Sequence, residues 1–359
     1  MPFGADVFFL LEIRSSTRLR HSITLFPLCQ VTMKTHSPLP NTRRAMDDLQ
    51  HKRRLIEQGQ LRTWTRRGRG AWTVGHVPFH RPLLQALHRI PWLRTRGEAN
   101  ARNAVVRTLR FTFEELPPAF CGFTILHLSD IHADGLSGLT ESLSGRLQEL
   151  QVDLCVLTGD YRYKISGPCD AVYPNMEKIL TAINARYGIV GVLGNHDAAE
   201  KVPVLEQLGV TMLVNQSLPV QHGADTIWLV GLDDPHYYGC DDLPGALQAV
   251  PDATFKVLLV HTPELVAEAE AQGVDLYLCG HTHGGQICMP WWGPVFSGAR
   301  CSRDYIRGAW SHRRMQGYTS AGVGVSVVPM RFFCPPEIVV IELCCARPHD
   351  HPLTLGPTA

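Results

Sequence analysis

Long hydrophobic runs are missing from this sequence. No stretch approaches the roughly 18 consecutive apolar residues of a membrane-spanning helix, and the run near the amino terminus covers only Val7 to Leu11. No basic stretch precedes that run, which argues against a secretory signal. We therefore expect a cytoplasmic protein. Peripheral contact with the inner face of the cytoplasmic membrane is left open.

Paired cysteine motifs are also missing. The eleven cysteines are an odd number, and no two of them form a C-x-x-C pair. This pattern argues against a disulfide framework or a structural zinc knuckle. Several cysteines, among them Cys155 and Cys279, lie in apolar runs. We predict that these are small buried hydrophobic residues in a reducing compartment.

Net charge is nearly absent from the chain as a whole, but not from its two parts. The 359 residues carry a formal charge of +1. Residues 1–120 hold 20 Lys and Arg against 8 Asp and Glu, a charge of +12, whereas residues 121–359 carry −11 and 11 of the 17 histidines. Carboxylates and imidazoles concentrated in one part of a chain indicate bound cations.

The basic part divides into segments of different character. Residues 1–45 show no sustained periodicity, whereas residues 46–62 have the acids early and the bases later, as in a short polar helix. Residues 82–115 mix Leu, Ile and Val with six arginines. They predict either a helix packed on the domain or a segment lying on an anionic membrane. We predict a basic extension over 1–120, irregular then helical, and a tail over 346–359.

Short apolar strands alternate with helical stretches from residue 123 onwards. The strand-like runs include FTILHLSDIH, VDLCVLTGD, GIVGVLGNHD, FKVLLVHTPE and VDLYLCGHTH. Alternation of this kind predicts an α/β domain with buried sheets, which we place at residues 121–345. Each run ends in polar residues, and ligands of such domains gather at the carboxyl ends of strands. The runs therefore predict one shared site.

The strand ends supply oxygen and imidazole donors without thiolates. In chain order they are Asp130, His132, Asp160, Asn195, His196, Asp197, His261, His281 and His283. Donors two residues apart after a strand, such as Asp130 and His132, are expected to point the same way. This chemistry suits Mn, Fe, Zn or Ni, and the donors are too many for one ion. We predict two ions about 3.5–4 Å apart that clamp a phosphoryl group.

The ordered set D-x-H, GD, GNHD, H and GHTH resembles the calcineurin-like metallophosphoesterase superfamily. The segments GHTHGGQICMP, GLDD and PPEIVVIEL are similar to its YkuE/YaeI-like branch of bacterial phosphodiesterases. The resemblance covers residues 121–343. It implies a four-layer αββα sandwich, in which two mixed β-sheets are flanked by helices.

The resemblance also implies a role for each donor. The first ion would be held by Asp130, His132, Asp160 and His283, and the second by Asp160, Asn195, His261 and His281. His196 would face the phosphate and assist the leaving group. Asp197 would orient His196 through its ring N–H. The implied reaction is in-line attack by a metal-bridging hydroxide, with manganese favoured over iron, zinc or nickel.

Three side chains near these motifs are candidate substrate contacts. Arg162 closely follows Asp160 and suits a phosphate group. Trp291 and Trp292 follow the GHTH motif, where they would form a lid, an acyl-contacting surface or a packed loop.

The substrate is left open between alternatives of different class. The leading hypothesis is hydrolysis of a phosphodiester or pyrophosphate, with a soluble or lipid-linked nucleotide as substrate. A UDP-2,3-diacylglucosamine-type pyrophosphate hydrolase of lipid A synthesis at the membrane would suit the basic extension. A nucleic-acid-binding nuclease would suit the +12 charge, but the arginines are not interleaved with stacking aromatic residues. We therefore expect no nucleic-acid partner, and no protein partner is predicted.

Overall fold

The computed structural model describes residues 40–60, 80–167, 169–294 and 298–346. The predictions for residues 1–39 and for the tail from residue 347 onwards lie outside these ranges. Within the described ranges, no helix combines the length and the apolar character that crossing a bilayer needs.

Helices are spread along the whole described chain. They are α1 Pro40–Glu57, α2 His80–His88, α3 Pro91–Arg102, α4 Leu139–Leu147, α5 Tyr173–Thr181, α6 Lys201–Gln207, α7 Leu243–Leu247 and α8 Val266–Ala271. Three short 3₁₀ turns cover Pro118–Phe120, His283–Gly285 and Arg303–Tyr305. The helix predicted over residues 46–62 corresponds to α1, and α4, α5 and α8 are among the helical stretches expected between the strand-like runs.

The strands build two six-stranded sheets and one small hairpin. They are β1 Val105–Phe113, β2 Thr124–Leu128, β3 Leu154–Leu157, β4 Ile189–Gly191, β5 Val210–Met212, β6 Gln216–His222, β7 Asp225–Gly231, β8 Lys256–Leu259, β9 Leu276–Cys279, β10 Cys288–Met289, β11 Gly293–Pro294, β12 Gly308–His312, β13 Met315–Thr319 and β14 Glu337–Cys345. The first sheet has the order β1-β14-β2-β3-β4-β5, and the second has the order β12-β13-β9-β8-β7-β6. Both are mixed: β14 runs antiparallel to β2, and β6 runs antiparallel to β7.

Three apolar clusters separate four layers. Buried side chains of both sheets, such as Ile125 and Leu229, form the central cluster. A second cluster lies between the first sheet and helices α4, α5 and α6, and includes Leu143 and Met176. A third lies between the second sheet and helices α7 and α8. The chain is therefore an αββα sandwich with two mixed sheets between helices, which confirms the predicted fold class.

The central strands are apolar along their whole length. Every residue of β3, β8 and β9 is buried, because parallel strands with helices outside and a second sheet inside have no solvent face. Cys155 of β3 and Cys279 of β9 are free thiols within these strands, as predicted.

One prediction for the basic extension is wrong. Residues 105–113 form strand β1 rather than a helix, and β1 pairs in parallel with β14 at the edge of the first sheet. The arginines obscured the strand pattern, in which Phe111 and Phe113 are buried while Arg107 and Arg110 bind Glu337 and Glu342. The first sheet therefore starts before residue 121, and the domain boundary at 120/121 stays a prediction.

Candidate metal centre

The predicted donors all lie in loops that directly follow strands. Those after β2, β3 and β4 carry Asp130 to His132, Asp160, and Asn195 to Asp197. The loops after β8 and β9 of the second sheet carry His261, His281 and His283. The site therefore forms where the carboxyl ends of strands from both sheets meet, as expected for ligand sites of α/β folds.

Five of these donor residues have a left-handed backbone conformation, which directs their side chains into the site. The φ angles are 52° at Asp130, 41° at His132, 61° at Asp160, 69° at His281 and 51° at His283. Positive φ is uncommon outside glycine, and such conformations concentrate at functional sites. The predicted reason for their alignment, extended strand periodicity, is wrong. Each side chain is aimed by a tight turn after its strand has ended.

Two glycines let these turns approach each other. A Cβ atom on Gly194 would lie 2.3 Å from Asp160 Oδ1. A Cβ atom on Gly280 would lie 1.9 Å from Ser129 Oγ and 2.3 Å from Asp130 Oδ2. Only a residue without a side chain fits at either position.

The first group of donors surrounds His283. Its Nε2 atom lies 3.3 Å from Asp130 Oδ1 and 3.2 Å from His132 Nε2. His132 Nε2 is also 3.6 Å from Asp160 Oδ2. The ligand atoms of Asp130, His132 and His283 lie within 4.8 Å of one another, close enough to share one cation.

The second group surrounds the side-chain oxygen of Asn195. Asn195 Oδ1 lies 3.0 Å from His261 Nε2 and 2.9 Å from His281 Nδ1. His261 Nε2 is 3.3 Å from Asp160 Oδ2. The same oxygen atom of Asp160 thus borders both groups, so this carboxylate is placed to be shared.

Backbone carbonyls orient two of the imidazoles. His132 Nδ1–H donates to the carbonyl of Arg162 at 2.5 Å, and His261 Nδ1–H donates to that of Thr158 at 2.7 Å. A carbonyl can only accept, so Nδ1 carries a proton in both rings, and Nε2 is the nitrogen that faces the site as the possible metal ligand. This arrangement is typical of metal-binding histidines. Backbone carbonyls leave no signal in a sequence, which is why these partners were not predicted.

The ionised carboxylate of Asp160 favours the binding of a metal cation in this cluster. Burial disfavours ionised Asp160, yet His261, His196 and His132 hold the pKa of this carboxyl well below its ordinary value. Burial lowers the pKa values of His132 and His283, which keeps both rings available as neutral ligands. Burial also opposes a charge on His261, but the Asp160 carboxylate raises its pKa to about 10, so a metal ion that binds Nε2 of this ring must displace a proton.

An unsatisfied acceptor completes the case for metal binding. Asp130 Oδ1 is buried and accepts no hydrogen bond from any residue of the described ranges. Such an atom is costly unless a cation or water binds it. This oxygen of Asp130 lies beside imidazole nitrogens and the anionic Asp160. Together these groups form a suitable ligand set for divalent metal ions.

His196 faces the cluster from its more open side. Its Nδ1–H donates to the carbonyl of Tyr163 at 2.7 Å, and its Nε2 lies 3.9 Å from Asp160 Oδ2. The side chain is 14% exposed, whereas those of His132 and His261 are fully buried. A ring held in this way can meet a molecule that arrives from solvent.

The prediction that Asp197 orients His196 is wrong, since Tyr163 does so. The Asp197 carboxylate instead accepts from Lys201 Nζ at 3.0 Å and from backbone N–H groups at 2.7–3.0 Å. Those N–H groups belong to Asp160, Tyr161 and Gly194. Asp197 therefore ties the loop after β3 to the loop after β4. Lys201 is the first residue of α6, whereas Asp197 lies in the loop before that helix, so helical spacing does not predict this pair.

The predicted substrate contact Arg162 is committed elsewhere. Its guanidinium donates to the carbonyl of His196 at 2.7 Å and to that of Gly167 at 2.6 Å, and it also bonds the carbonyl of Ile165. The residue is only 3% exposed. Arg162 therefore has no free face for a phosphate and supports the His196 loop instead.

Trp291 and Trp292 lie at the tip of the β10–β11 hairpin. They are 100% and 83% exposed, so the alternative of a packed loop is wrong. The structure brings neither of them into the cluster of Asp, Asn and His side chains.

The sandwich fold and the donor cluster at its strand ends define the class of the metallophosphoesterases. The family model described as calcineurin-like phosphoesterase matches residues 123–285. The chain belongs to this family and is a phosphoric ester hydrolase.

Three bacterial relatives show the same membership. The uncharacterized metallophosphoesterase YkuE of Bacillus subtilis is 32% identical over 64% of this chain and 81% of its own length. The uncharacterized metallophosphoesterase YkoQ of the same organism is 29% identical over 72% and 97%. The phosphodiesterase YaeI of Escherichia coli is 29% identical over 62% and 82%. The predicted resemblance is confirmed.

Proposed function

We propose that this chain is a phosphodiesterase that cleaves a phosphodiester or pyrophosphate bond with two divalent ions, manganese being the favoured metal. The observation that carries the proposal is the position of Asp160, whose Oδ2 lies 3.3 Å from His261 Nε2 and 3.6 Å from His132 Nε2. One ion would be held by Asp130, His132, Asp160 and His283, and the other by Asp160, Asn195, His261 and His281.

The metals would supply a nucleophilic hydroxide near neutral pH and would offset the charge of the phosphoryl group. The chain supplies orientation and a proton. The carbonyls of Arg162 and Thr158 hold His132 and His261 with Nε2 towards the site. Because the Tyr163 carbonyl binds Nδ1–H of His196, protonated Nε2 can donate to the leaving oxygen.

Hydrolysis of two chromogenic esters tests this function. Metal-stripped protein should hydrolyse neither bis-p-nitrophenyl phosphate nor p-nitrophenyl phosphate, and Mn²⁺ should restore turnover with a preference for the diester. Preference for the monoester would contradict the diesterase assignment. Absence of metal-dependent turnover on both would contradict the hydrolytic function.

An amphiphilic substrate is the second candidate, and exposed apolar side chains favour it. Met289, Trp291, Trp292 and Phe333 are 56%, 100%, 83% and 69% exposed. Cys288 N–H donates to the carbonyl of Phe332, so Phe333 and the hairpin are neighbours. Exposed apolar clusters mark interaction sites, and tryptophan prefers the membrane interface. A UDP-2,3-diacylglucosamine-type pyrophosphate at the membrane would suit this surface.

Replacing both tryptophans distinguishes an amphiphilic from a soluble substrate. Trp291→Ser with Trp292→Ser should reduce flotation with anionic liposomes while leaving bis-p-nitrophenyl phosphate hydrolysis unchanged, because neither ring touches the donor cluster. Equal flotation of the variant and the unaltered protein would remove the membrane candidate.

A further inference from the structure

Helix α1 docks against the loop that carries Asn195 and His196. The helix lies in the basic part of the chain, whose charge the family motifs leave unexplained. Its residue Arg53 is only 1% exposed, although arginine is rarely buried this fully. Burial of a charged side chain is costly unless its partners are well placed. The contacts that offset this cost therefore show which parts of the domain helix α1 holds in place.

The guanidinium of Arg53 joins two loops of the domain. It donates to Oδ1 of Asp233, which follows β7, and to the backbone carbonyl of Asp197. Its Nη2 also lies 3.4 Å from the carbonyl oxygen of Gly194. Gly194 and Asp197 directly flank Asn195 and His196. Arg53 thus holds the loop at both ends of the two residues that the proposed chemistry uses.

Further contacts fix the position of Arg53 itself. Its guanidinium lies 3.8 Å from the ring centroid of Tyr238, and its Nε donates to Glu57 Oε1 at 3.1 Å. Glu57 Oε1 also accepts from the backbone N–H of Ala199, two residues beyond Asp197, at 2.9 Å. Ile56 packs in a buried cluster with Tyr238 and Cys240. Helix α1 is therefore tied to the same loop by a second side chain.

On the basis of the proposed function, we propose that Arg53 is a positioning residue for the hydrolytic reaction. It holds the loop 194–197 so that Asn195 reaches its ion and His196 faces the phosphoryl group. Helix α1, although it lies in the basic extension, then contributes to the geometry of the metal centre. A misplacement of about 1 Å in such a loop can cost ~10²-fold in rate.

Variants of the full chain separate positioning from simple charge pairing. Arg53→Met leaves Asp233 buried without its cation, so it should lower both Tm and kcat. Adding Asp233→Asn removes that carboxylate and should restore Tm, while kcat stays about 10- to 100-fold low because the carbonyls of Gly194 and Asp197 lack their donor. We expect KM to change little and Mn²⁺ affinity, measured by calorimetry, to weaken for one of the two ions.

Two further variants serve as controls. Arg54→Met removes the same charge from an exposed neighbour on the same helix and should leave kcat within about 2-fold, as surface changes usually do. Arg53→Lys keeps the charge but lacks the planar fork of donors, so it should retain Tm better than Arg53→Met and still lose kcat. If Arg53→Met fails to fold, the kcat of Arg53→Lys still tests the positioning role.

Three outcomes would overturn the proposal. They are recovery of kcat together with Tm in the double variant, normal kcat in Arg53→Met or Arg53→Lys, and Mn²⁺ affinity that does not change with Arg53. Failure of the proposed function has a different signature. The unaltered protein would then bind Mn²⁺ without hydrolysing either ester, while the calorimetric comparison would still decide whether Arg53 positions Asn195.

Discussion

Asp160→Asn is expected to abolish metal-dependent hydrolysis, with a loss in kcat/KM of at least about 10³-fold. Asp160 is 2% exposed, and its Oδ2 faces His132 on one side and His261 on the other. Asparagine keeps the shape of the side chain but removes the negative charge that both proposed ions would share. Binding of the metal pair should therefore fail along with turnover.

Metal analysis after dialysis against Mn²⁺, together with bis-p-nitrophenyl phosphate hydrolysis, checks this expectation. Asp170→Asn is a matched control because Asp170 is exposed and lies further along the same connection between β3 and α5. It should behave like the unaltered protein. Retention of two ions by Asp160→Asn, with turnover within 10-fold of the control, would show that Asp160 is not the shared ligand.

His196→Ala is expected to lower kcat by about 10²- to 10⁴-fold while two ions remain bound. The ring is held by the Tyr163 carbonyl with Nε2 towards the site, and we assign it to proton transfer. A competing assignment exists, since its ligand atom lies within 4.8 Å of those of His132 and Asp160. Loss of an ion in His196→Ala would favour that assignment.

The leaving group provides an internal control for His196. An alkyl oxygen needs a proton more than p-nitrophenolate does, so the loss in His196→Ala should be larger for an alkyl phosphodiester. His51→Ala, at an exposed position of α1, should alter neither rate. An equal loss on both substrates would contradict proton donation by His196.

Sequence reasoning worked where an apolar run is followed directly by polar residues. The runs before Asp130, Asp160 and His281 are strands whose ends meet, because buried parallel strands leave a clear pattern and end at one edge of a sheet. Extended strand periodicity does not explain the alignment of these side chains. Their positive φ angles come from packing between loops, which spacing along the chain does not encode.

The contacts that support the site were beyond sequence reasoning. The resemblance implies that Asp197 orients His196, yet the Asp197 carboxylate binds Lys201 and backbone N–H groups instead. Arginine in a basic segment is usually solvated, so nothing marked Arg53 as buried. Such roles depend on tertiary neighbours, among them Asp233, which is 180 residues further along the chain.

A Mn²⁺ titration of metal-stripped protein tests the central claim most directly, with the initial rate of bis-p-nitrophenyl phosphate hydrolysis and the bound metal followed in the same samples. The shared position of Asp160 predicts no turnover without metal, and a rate that rises and then saturates when two ions are bound per chain. Full turnover with one bound ion, or turnover unaffected by metal, would contradict the proposed two-ion centre.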